Sequence, residues 1–314
     1  MAHRCMRLAV LATVVAAALI NAAGQSLPSS GPASSPTSSS KPTTLRVASY
    51  NMNYGLTGKD DFATYVAIIR KARPEVLAIQ EGNEDLYKYL QAQLAKDYPH
   101  QKYVPGQAAC GLGWLSKSPL QHLTQLPKIE GGWFGTYLAE IDVNRQTFLL
   151  VDIHLMATVP RGKQSPVEWM ALMASTEAQR DKEVRHIHDA VAKRLGERPL
   201  PVVMLGDFNS LPGLKAPTFL ASKGYIDSAA SVSDSPAASW RYVWTDANWS
   251  MRIDYIFHNA LLRATASGAV QDGPSDHCLI WSDLKLAPAT KPATGNSQPT
   301  THNPLPSASP VPGA

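Results

Sequence analysis

The apolar side chains of residues 45–287 switch repeatedly between the two-residue repeat of a strand and the wider repeat of a helix. Eight segments have the pattern of strands: residues 45–51, 75–80, 113–115, 137–143, 148–154, 201–205, 251–257 and 279–286. Three segments have helical spacing: residues 61–73, residues 83–96, and a longer segment with an apolar stripe through residues 184–195. This order predicts an α/β sandwich in which two packed, mixed β-sheets are flanked by helices.

The first 24 residues have the pattern of a secretory signal peptide. Arg4 and Arg7 precede the apolar residues 8–20, and small side chains follow at residues 22–24. The apolar stretch is too short to cross a bilayer comfortably, so an uncleaved membrane anchor is the weaker interpretation. We therefore expect residues 1–24 to be a signal peptide and the protein to be secreted or periplasmic.

Two further segments are rich in Ser, Thr and Pro. Residues 25–44 and 288–314 carry too little apolar surface to offset the entropy of ordering a chain. We expect a disordered linker in residues 25–44, one domain in residues 45–287 and a disordered tail in residues 288–314. The composition, with 44% hydrophobic and 17% charged residues, excludes coiled-coil, collagen-like and polytopic membrane proteins.

The net charge of the predicted domain is small. The whole chain has a formal charge of +4, and removing Arg4 and Arg7 with the signal peptide leaves 27 basic against 25 acidic residues in residues 25–314, a charge of +2. A nearly neutral domain lacks the strong cationic field that drives nonspecific nucleic-acid binding, although a local basic groove is compatible with it.

Two cysteines remain after the signal peptide, Cys110 and Cys278. In an exported protein the two thiols can form a disulfide, but no spacing in the sequence requires one. We favour the interpretation that they are two small buried side chains.

Polar and ionisable side chains stand where the predicted strands begin or end. Eight of them end, interrupt or closely flank a strand: Asn51, Glu81, His154, Asp207, Asn209, Asp254, Asp276 and His277. Loops at strand ends are where sheet proteins place binding and catalytic groups. Burying so many ionisable groups costs several kcal/mol each unless they pair or bind a cation. Any one of them alone is explained as a turn or capping residue, but the set together indicates a site.

Seven short motifs follow one another along the chain, and all but the third contain one or more of these residues: Tyr50-Asn51, Ile79-Gln80-Glu81, Gly113-Trp114-Leu115-Ser116-Lys117, Ile153-His154-Leu155, Gly206-Asp207-Phe208-Asn209, Arg252-Ile253-Asp254-Tyr255 and Ser275-Asp276-His277. In type and order they resemble the motifs of the endonuclease/exonuclease/phosphatase superfamily, which includes DNase I-like nucleases, neutral sphingomyelinases and inositol-phosphate 5-phosphatases. The resemblance covers residues 45–286. It implies a four-layered α/β sandwich that hydrolyses a phosphoester with Mg²⁺.

The resemblance implies a metal site at three of the strand ends. Glu81 is the expected principal ligand of Mg²⁺, with Asn51 and Asp276 assisting, and Mn²⁺ is the alternative ion. Oxygen ligands of this kind suit the chemistry, because Mg²⁺ is a hard cation that binds one or two carboxylates together with water and phosphate oxygens.

The remaining residues of the motifs have expected catalytic roles by the same resemblance. Asp207 would orient and deprotonate the attacking water, and Asn209 would hold a phosphate oxygen. His277 would contact the phosphate while Asp254 fixes the tautomer of its imidazole. His154 would stabilise charge at the phosphate or leaving group. In DNase I-like enzymes this second histidine has a carboxylate partner, and the sequence leaves open which residue that is.

The substrate is less well defined than the chemistry. A histidine at position 154 is similar to the DNase I, sphingomyelinase and phosphatase branches. Ser239-Trp240-Arg241-Tyr242, followed by Arg252-Ile253-Asp254, instead resembles the exonuclease III-like branch. We expect a nuclease acting on DNA or RNA. A phospholipid-headgroup or lipid-phosphate hydrolase is the alternative, and a non-catalytic binding domain is the least favoured.

Substrate recognition is expected near residues 239–251, which contain three of the seven tryptophans. Trp244 and Trp249 have polar neighbours that suit an exposed rim, and with Arg252 they are the predicted substrate-binding residues. Trp240 suits a rim and a core position equally. The sequence indicates no obligate protein partner, and we expect a monomer.

Overall fold

A computed structural model describes residues 44–53, 61–159, 164–241 and 250–288 of the chain. These residues contain fourteen strands: β1 (Thr44–Asn51), β2 (Val76–Gln80), β3 (His100–Val104), β4 (Leu112–Ser116), β5 (Leu120–Leu126), β6 (Thr136–Val143), β7 (Gln146–His154), β8 (Val202–Asp207), β9 (Ile226–Asp227), β10 (Trp240–Arg241), β11 (Ser250–Met251), β12 (Asp254–His258), β13 (Leu262–Val270) and β14 (Leu279–Leu286). The same residues form five α-helices: α1 (Phe62–Ala72), α2 (Glu84–Leu94), α3 (Pro166–Leu195), α4 (Lys215–Ser222) and α5 (Ser228–Val232).

Twelve of the strands form two mixed sheets of six. The first has the order β13-β14-β1-β2-β4-β3, and the second has the order β5-β6-β7-β8-β12-β9. In each sheet one central pair is parallel, β1 with β2 and β7 with β8, whereas the other pairs are antiparallel. β10 and β11 form a separate two-stranded ribbon.

Three apolar clusters hold the layers together. The first joins α1 and α2 to the outer face of the first sheet, through side chains such as Ile69 and Leu86. The second joins α3 and α4 to the outer face of the second sheet, through side chains such as Val184 and Leu220. The third lies between the two sheets and includes Trp114. The layers are therefore helix, sheet, sheet, helix, which confirms the predicted four-layered α/β sandwich.

The strands that the sequence pattern missed carry little apolar surface. β13 reads Leu-Arg-Ala-Thr-Ala-Ser-Gly-Ala-Val, and only its first and last residues are buried. β5 is an edge strand with no buried residue. The predicted strand at residues 251–257 is divided between β11 and β12, because Arg252 and Ile253 pair with neither partner strand.

The long helix α3 begins well before its apolar stripe. Ser165 caps it, accepting a hydrogen bond from the backbone N–H of Glu168, while the Glu168 side chain accepts from the Ser165 backbone N–H. The buried positions of its first half include Glu177 and Arg180. Charged residues at core positions interrupt the hydrophobic periodicity, so the sequence pattern predicted the second half alone.

The ends of the chain lie mostly outside the described residues. This holds for the predicted signal peptide, for residues 25–43 of the predicted linker and for residues 289–314 of the predicted tail. Thr44, the last residue of the predicted linker, is the first residue of β1. Within the described ranges, no helix combines the length and the apolar composition needed to cross a membrane.

Both cysteines of the domain are free thiols in this structure, so the alternative of a disulfide is not realised. Cys278 is buried, as expected for a small apolar side chain. Cys110 is partly exposed, and its thiol lies 3.7 Å from the carbonyl oxygen of Trp133. The expectation that both side chains are buried is therefore wrong for Cys110, which ends a short 3-10 helix before β4.

Candidate active site

The parallel pairing of β1 with β2 and of β7 with β8 brings predicted site residues to one edge of the two sheets. Asn51 is the last residue of β1, and Glu81 follows the last residue of β2. His154 ends β7 directly beside Asp207, which ends β8. Asp254 begins β12 opposite Asp207. The buried strands thus determine where these side chains lie, and each polar side chain is found at the end of an apolar strand.

Asp254 and His277 form a buried pair. Nδ1 of His277 lies 3.1 and 3.0 Å from the two carboxylate oxygens of Asp254, so Nδ1 carries the proton of this bond. Nε2 is directed toward Asp207, 3.7 Å from its Oδ2. The Ser275 hydroxyl accepts the backbone N–H of His277 and donates to the carbonyl of Asn51, which ties this turn to β1.

The charge of His277 follows from these contacts. Burial alone would lower its pKa, but the nearby carboxylates of Asp254 and Asp207 outweigh burial. The pKa of His277 is therefore raised well above its usual value, and the ring is an imidazolium at neutral pH.

Asp207 accepts three hydrogen bonds from other residues of the site. Its Oδ1 accepts the backbone N–H of Asn209 at 2.8 Å, and its Oδ2 accepts the side-chain amides of Asn51 at 2.9 Å and of Asn209 at 3.1 Å. Asn209 also donates to the carbonyl of Leu155 and has a positive φ of 49°, a left-handed conformation that asparagine tolerates better than most residues. Burial raises the pKa of Asp207 above its usual value, against the opposite influence of His277.

Asn51 joins Asp207 to the second acidic residue, Glu81. Its amide nitrogen donates to Oε1 of Glu81 at 3.0 Å, and its amide oxygen accepts the backbone N–H of Asn53. The nitrogen of Asn51 thus faces the carboxylates, so the predicted ligand role requires this amide to turn. Glu81 has a positive φ of 55°, a strained conformation of the kind that clusters at functional sites. Burial raises the pKa of Glu81 above its usual value.

His154 lies between the two acidic residues. Its Nε2 is 3.5 Å from Oε1 of Glu81 and 3.6 Å from Oδ2 of Asp207. Its ring stacks on Phe134 with centroids 3.6 Å apart and planes 5° apart. Among the described residues none hydrogen-bonds either ring nitrogen, so the two carboxylates lie beside Nε2 without bonding it, and Nδ1 has no carboxylate next to it in this part of the chain. Burial lowers the pKa of His154 well below its usual value, and the ring is neutral.

Asp276 approaches the site from the turn before β14. Its Oδ2 accepts a 2.8 Å hydrogen bond from the indole nitrogen of Trp240, whereas its Oδ1 is buried and has no partner among the described residues. Trp240 is itself buried and stacks on Trp169 with centroids 5.6 Å apart. Of the two positions considered for Trp240, the core position is therefore the observed one.

The donor set fits a divalent cation. Two groups of three residues each bring their ligand atoms within 4.8 Å of one another: Glu81, His154 and Asp207 form the first group, and Asp207, Asp254 and His277 form the second. The first group adds His154 and Asp207 to the predicted principal ligand, Glu81. Buried carboxylates with raised pKa values, together with the unpartnered Oδ1 of Asp276, are the groups that a cation would stabilise. The ligand roles of Asn51 and Asp276 stay predictions.

Of the predicted substrate-binding residues, only Arg252 lies within the described residues, and its side chain is already paired. Nη1 of Arg252 donates to Asp227 at 2.6 Å, and its guanidinium lies over the ring of Tyr255. A substrate phosphate would have to compete with Asp227 for this cation. Trp244 and Trp249 lie outside the described residues.

Sequence reasoning missed three supporting residues. The stack of Phe134 on His154 has no sequence signal, because Phe134 is far from every motif. Ser275 belongs to one of the motifs, but the sequence does not indicate that its hydroxyl anchors the turn to β1. The sequence places Trp240 in the predicted recognition segment, residues 239–251, but does not indicate its hydrogen bond to Asp276.

The comparison of the chain with protein families identifies its family. A model of the Endonuclease/Exonuclease/phosphatase family matches residues 48–277, more than half of the chain. The protein belongs to this family of hydrolases that act on phosphoester bonds, which confirms the resemblance in the sequence. No curated protein matches the chain significantly.

Solved structures share the fold at low sequence identity. An endonuclease/exonuclease/phosphatase family protein from Bacteroides thetaiotaomicron is 15% identical, with a TM-score of 0.61 over 79% of this chain and 99% of that chain. TDP2 from Caenorhabditis elegans is 16% identical, with a TM-score of 0.59 over 77% of this chain and 75% of that chain. A mannosyl-6-phosphatase from Bacteroides thetaiotaomicron is 15% identical, with a TM-score of 0.58 over 76% and 99%.

Proposed function

We propose that the protein is a secreted, divalent-metal-dependent phosphodiesterase and that its substrate is nucleic acid. The observation that carries the proposal is the convergence of a neutral and a charged histidine on one carboxylate. Nε2 of His154 and Nε2 of His277 lie 3.6 and 3.7 Å from the same oxygen of Asp207, with Glu81 beside them. Hydrolysis of a phosphoester needs such a combination of acid, base and hard oxygen ligands.

Glu81 is the main candidate to hold the cation, together with Asp207 or Asp276. When bound, the cation would neutralise phosphate charge and lower the pKa of a bound water. The choice of Mg²⁺ rests on the oxygen donors, and Mn²⁺ is the closest substitute.

The charged histidine positions the phosphate in this proposal. His277 keeps a proton on Nε2, because Asp254 holds Nδ1 and stabilises the imidazolium. That N–H donates to a phosphate oxygen whose negative charge grows as the bond to water forms. Asp254 contacts no reacting atom, so its contribution is to orient the ring.

The remaining residues act on the attacking water and on the leaving oxygen. Asp207 accepts the proton of the attacking water, and its two bonds from Asn209 and one from Asn51 fix the direction of its lone pairs. Asn209 is held beside Asp207 by the hydrogen bonds that its backbone and side chain donate to Asp207 and to the carbonyl of Leu155. The neutral His154, packed against Phe134, stabilises charge at the leaving oxygen.

Nucleic acid is the proposed substrate because the segment from Ser239 to Asp254 resembles the exonuclease III-like branch. Phosphomonoester or phospholipid hydrolysis is the second candidate. It is favoured by the fold shared with a protein named a mannosyl-6-phosphatase, and by the neutral charge of the domain.

Plasmid DNA, RNA, sphingomyelin and a sugar phosphate, each with Mg²⁺ and then with EDTA, test the proposal. We expect cleavage of a nucleic acid that stops in EDTA. Glu81→Gln should abolish turnover, whereas Glu84→Gln, an exposed residue three positions away, is the matched control and should not. Full activity in EDTA, or wild-type turnover by Glu81→Gln, would contradict metal dependence. Activity on sphingomyelin or the sugar phosphate alone would replace nucleic acid as the substrate.

A further inference from the structure

A buried ion pair lies on α3, behind the loops that follow β7 and β8. Nε of Arg180 donates to Oε2 of Glu177 at 2.8 Å, and the two side chains are 0% and 3% exposed. An apolar pair of similar volume usually stabilises a fold equally well or better. Those hydrogen bonds of Glu177 and Arg180 that go to the loops after β7 and β8 indicate the function of this buried pair.

Arg180 holds the loop that follows β7. Its Nη1 donates to the carbonyl of Met156 at 3.2 Å and to the hydroxyl of Thr158 at 2.9 Å. Met156 is two residues after His154, and its backbone N–H donates to Glu183 on the same helix. Two residues after His154, both the backbone N–H and the carbonyl of Met156 are therefore hydrogen-bonded to side chains of α3.

Glu177 holds the loop that follows β8. Its Oε1 accepts the Ser210 hydroxyl and the backbone N–H of Ala216, both at 2.7 Å. Ser210 directly follows Asn209 and is fully buried. Glu177 thus binds the loop of Asn209 at Ser210 and the first turn of α4 at Ala216, and its other oxygen binds Arg180.

The two loops also contact each other at the site. The backbone N–H of Leu155 donates to the carbonyl of Asp207 at 2.9 Å, and the Asn209 side chain donates to the carbonyl of Leu155 at 3.1 Å. The two loops are therefore connected twice. Hydrogen bonds between Leu155, Asp207 and Asn209 join them beside the reacting groups, and the ion pair joins them on the side that faces α3.

We propose that Glu177 and Arg180 are positioning residues that set the placement of His154 relative to Asp207 and Asn209. This inference rests on the proposed function, and neither residue contacts a reacting atom. A displacement of catalytic groups by about 1 Å costs on the order of 100-fold in rate. Loss of the ion pair is therefore expected to act on the rate of the chemical step.

The test compares Glu177→Gln with Glu140→Gln. Glu140 is a second buried carboxylate bound by arginines, but its partners are Arg194 in the last turn of α3 and Arg198 just after the helix. Both variants should lose a similar amount of thermal stability. Only Glu177→Gln should lower kcat, by about 10–100-fold, while KM changes much less.

Amide hydrogen exchange supplies a readout that needs no activity. The backbone N–H groups of Leu155 and Asn209, which both donate to Asp207, should exchange faster in Glu177→Gln and not in Glu140→Gln. Equal kcat values in the two variants, or equal exchange at both amides, would overturn the inference. A wild-type protein without turnover would overturn the proposed function, and exchange would still decide the positioning role.

Ser210→Ala covers the case in which Glu177→Gln does not fold. This change removes one donor to Glu177 and leaves the ion pair with Arg180 in place. A severalfold fall in kcat, with faster exchange at Asn209, is expected. Wild-type kcat and exchange in Ser210→Ala would overturn the inference.

Discussion

The indole nitrogen of Trp240 donates a 2.8 Å hydrogen bond to Oδ2 of Asp276, and the second oxygen of that carboxylate stays buried without a partner. The indole is fixed in turn by its stack on Trp169. One oxygen of Asp276 is thus satisfied by the core, which leaves Oδ1 as the oxygen available to a cation. Outer partners of this kind orient a ligand and raise its affinity for metal.

Trp240→Phe should therefore weaken metal binding by about 10–100-fold, because it removes the bond to Asp276 and keeps an aromatic ring on Trp169. Titration calorimetry with Mn²⁺ measures the affinity. Trp114→Phe is the control, since it removes the same volume from the core between the sheets, where the Trp114 indole nitrogen has no partner among the described residues. Equal Mn²⁺ affinities in the two variants would exclude a role for this hydrogen bond.

The sequence predicts the site better than it predicts the surroundings of the site. Asn51, Glu81, His154 and Asp207 stand at the ends of buried apolar strands. Parallel pairing places Asn51 near Glu81 in one sheet and His154 beside Asp207 in the other, and the packing of the two sheets brings the two pairs together. Such an arrangement follows from strand pattern and topology. The stack of Phe134 on His154 depends on how a loop folds back over β7, and no periodicity encodes that.

The pairing of Asp254 with His277 predicts a strongly non-additive loss of activity. Asp254→Asn should lower kcat by about 10²–10⁴-fold, because the amide no longer stabilises the imidazolium. His277→Ala with Asp254→Asn should be little worse than His277→Ala alone, since the two residues act as one unit. Steady-state kinetics of the three variants check this. Losses that multiply would mean that the two side chains work separately.

Helix α3 shows where sequence reasoning stops for the fold. Its second half was predicted from an apolar stripe, whereas the first half buries Glu177 and Arg180. A charged pair in a core position is indistinguishable in sequence from an exposed salt bridge on a helix surface. Its burial is decided by the carbonyls and hydroxyls of distant loops, which come from other parts of the chain.

Glu183 predicts a dependence of stability on pH. Burial raises the pKa of Glu183 from 4.5 to about 7, while its bond from the Met156 N–H acts in the opposite direction. A carboxyl whose pKa is higher in the folded than in the unfolded protein contributes its full stabilisation at a pH below the unfolded pKa. This contribution is lost as the pH rises through the folded pKa of about 7. Relative to Glu183→Gln, the wild type should therefore lose about 3 kcal/mol of unfolding free energy between pH 4 and pH 8.

Urea denaturation of the wild type and Glu183→Gln across this range measures the difference. Glu197→Gln, an exposed glutamate just after the same helix, controls for the removal of one negative charge. A constant difference between the wild type and Glu183→Gln at every pH would show that Glu183 titrates normally.

Trp244 and Trp249 remain the predicted aromatic contacts of the substrate. Both lie outside the described residues, between β10, where Trp240 binds Asp276, and β11. Arg241, the described residue before this segment, donates its backbone N–H to the carbonyl of Asp276 and pairs with Ser250, the described residue after it. An aromatic ring that contacts the substrate stacks on a nucleic-acid base for about 1–3 kcal/mol, or lies at a lipid headgroup layer.

Trp244→Ala and Trp249→Ala should therefore raise KM by about 5–100-fold and leave the melting temperature nearly unchanged. Trp240→Ala is the opposite case, because that ring is buried against Trp169 and its removal should lower the melting temperature strongly. Kinetics on DNA, RNA and sphingomyelin vesicles, with melting curves for all three variants, separate the outcomes. A large fall in melting temperature with normal KM would make Trp244 and Trp249 core residues. A rise in KM on vesicles alone would identify a lipid surface, in place of nucleic acid, as what these two rings bind.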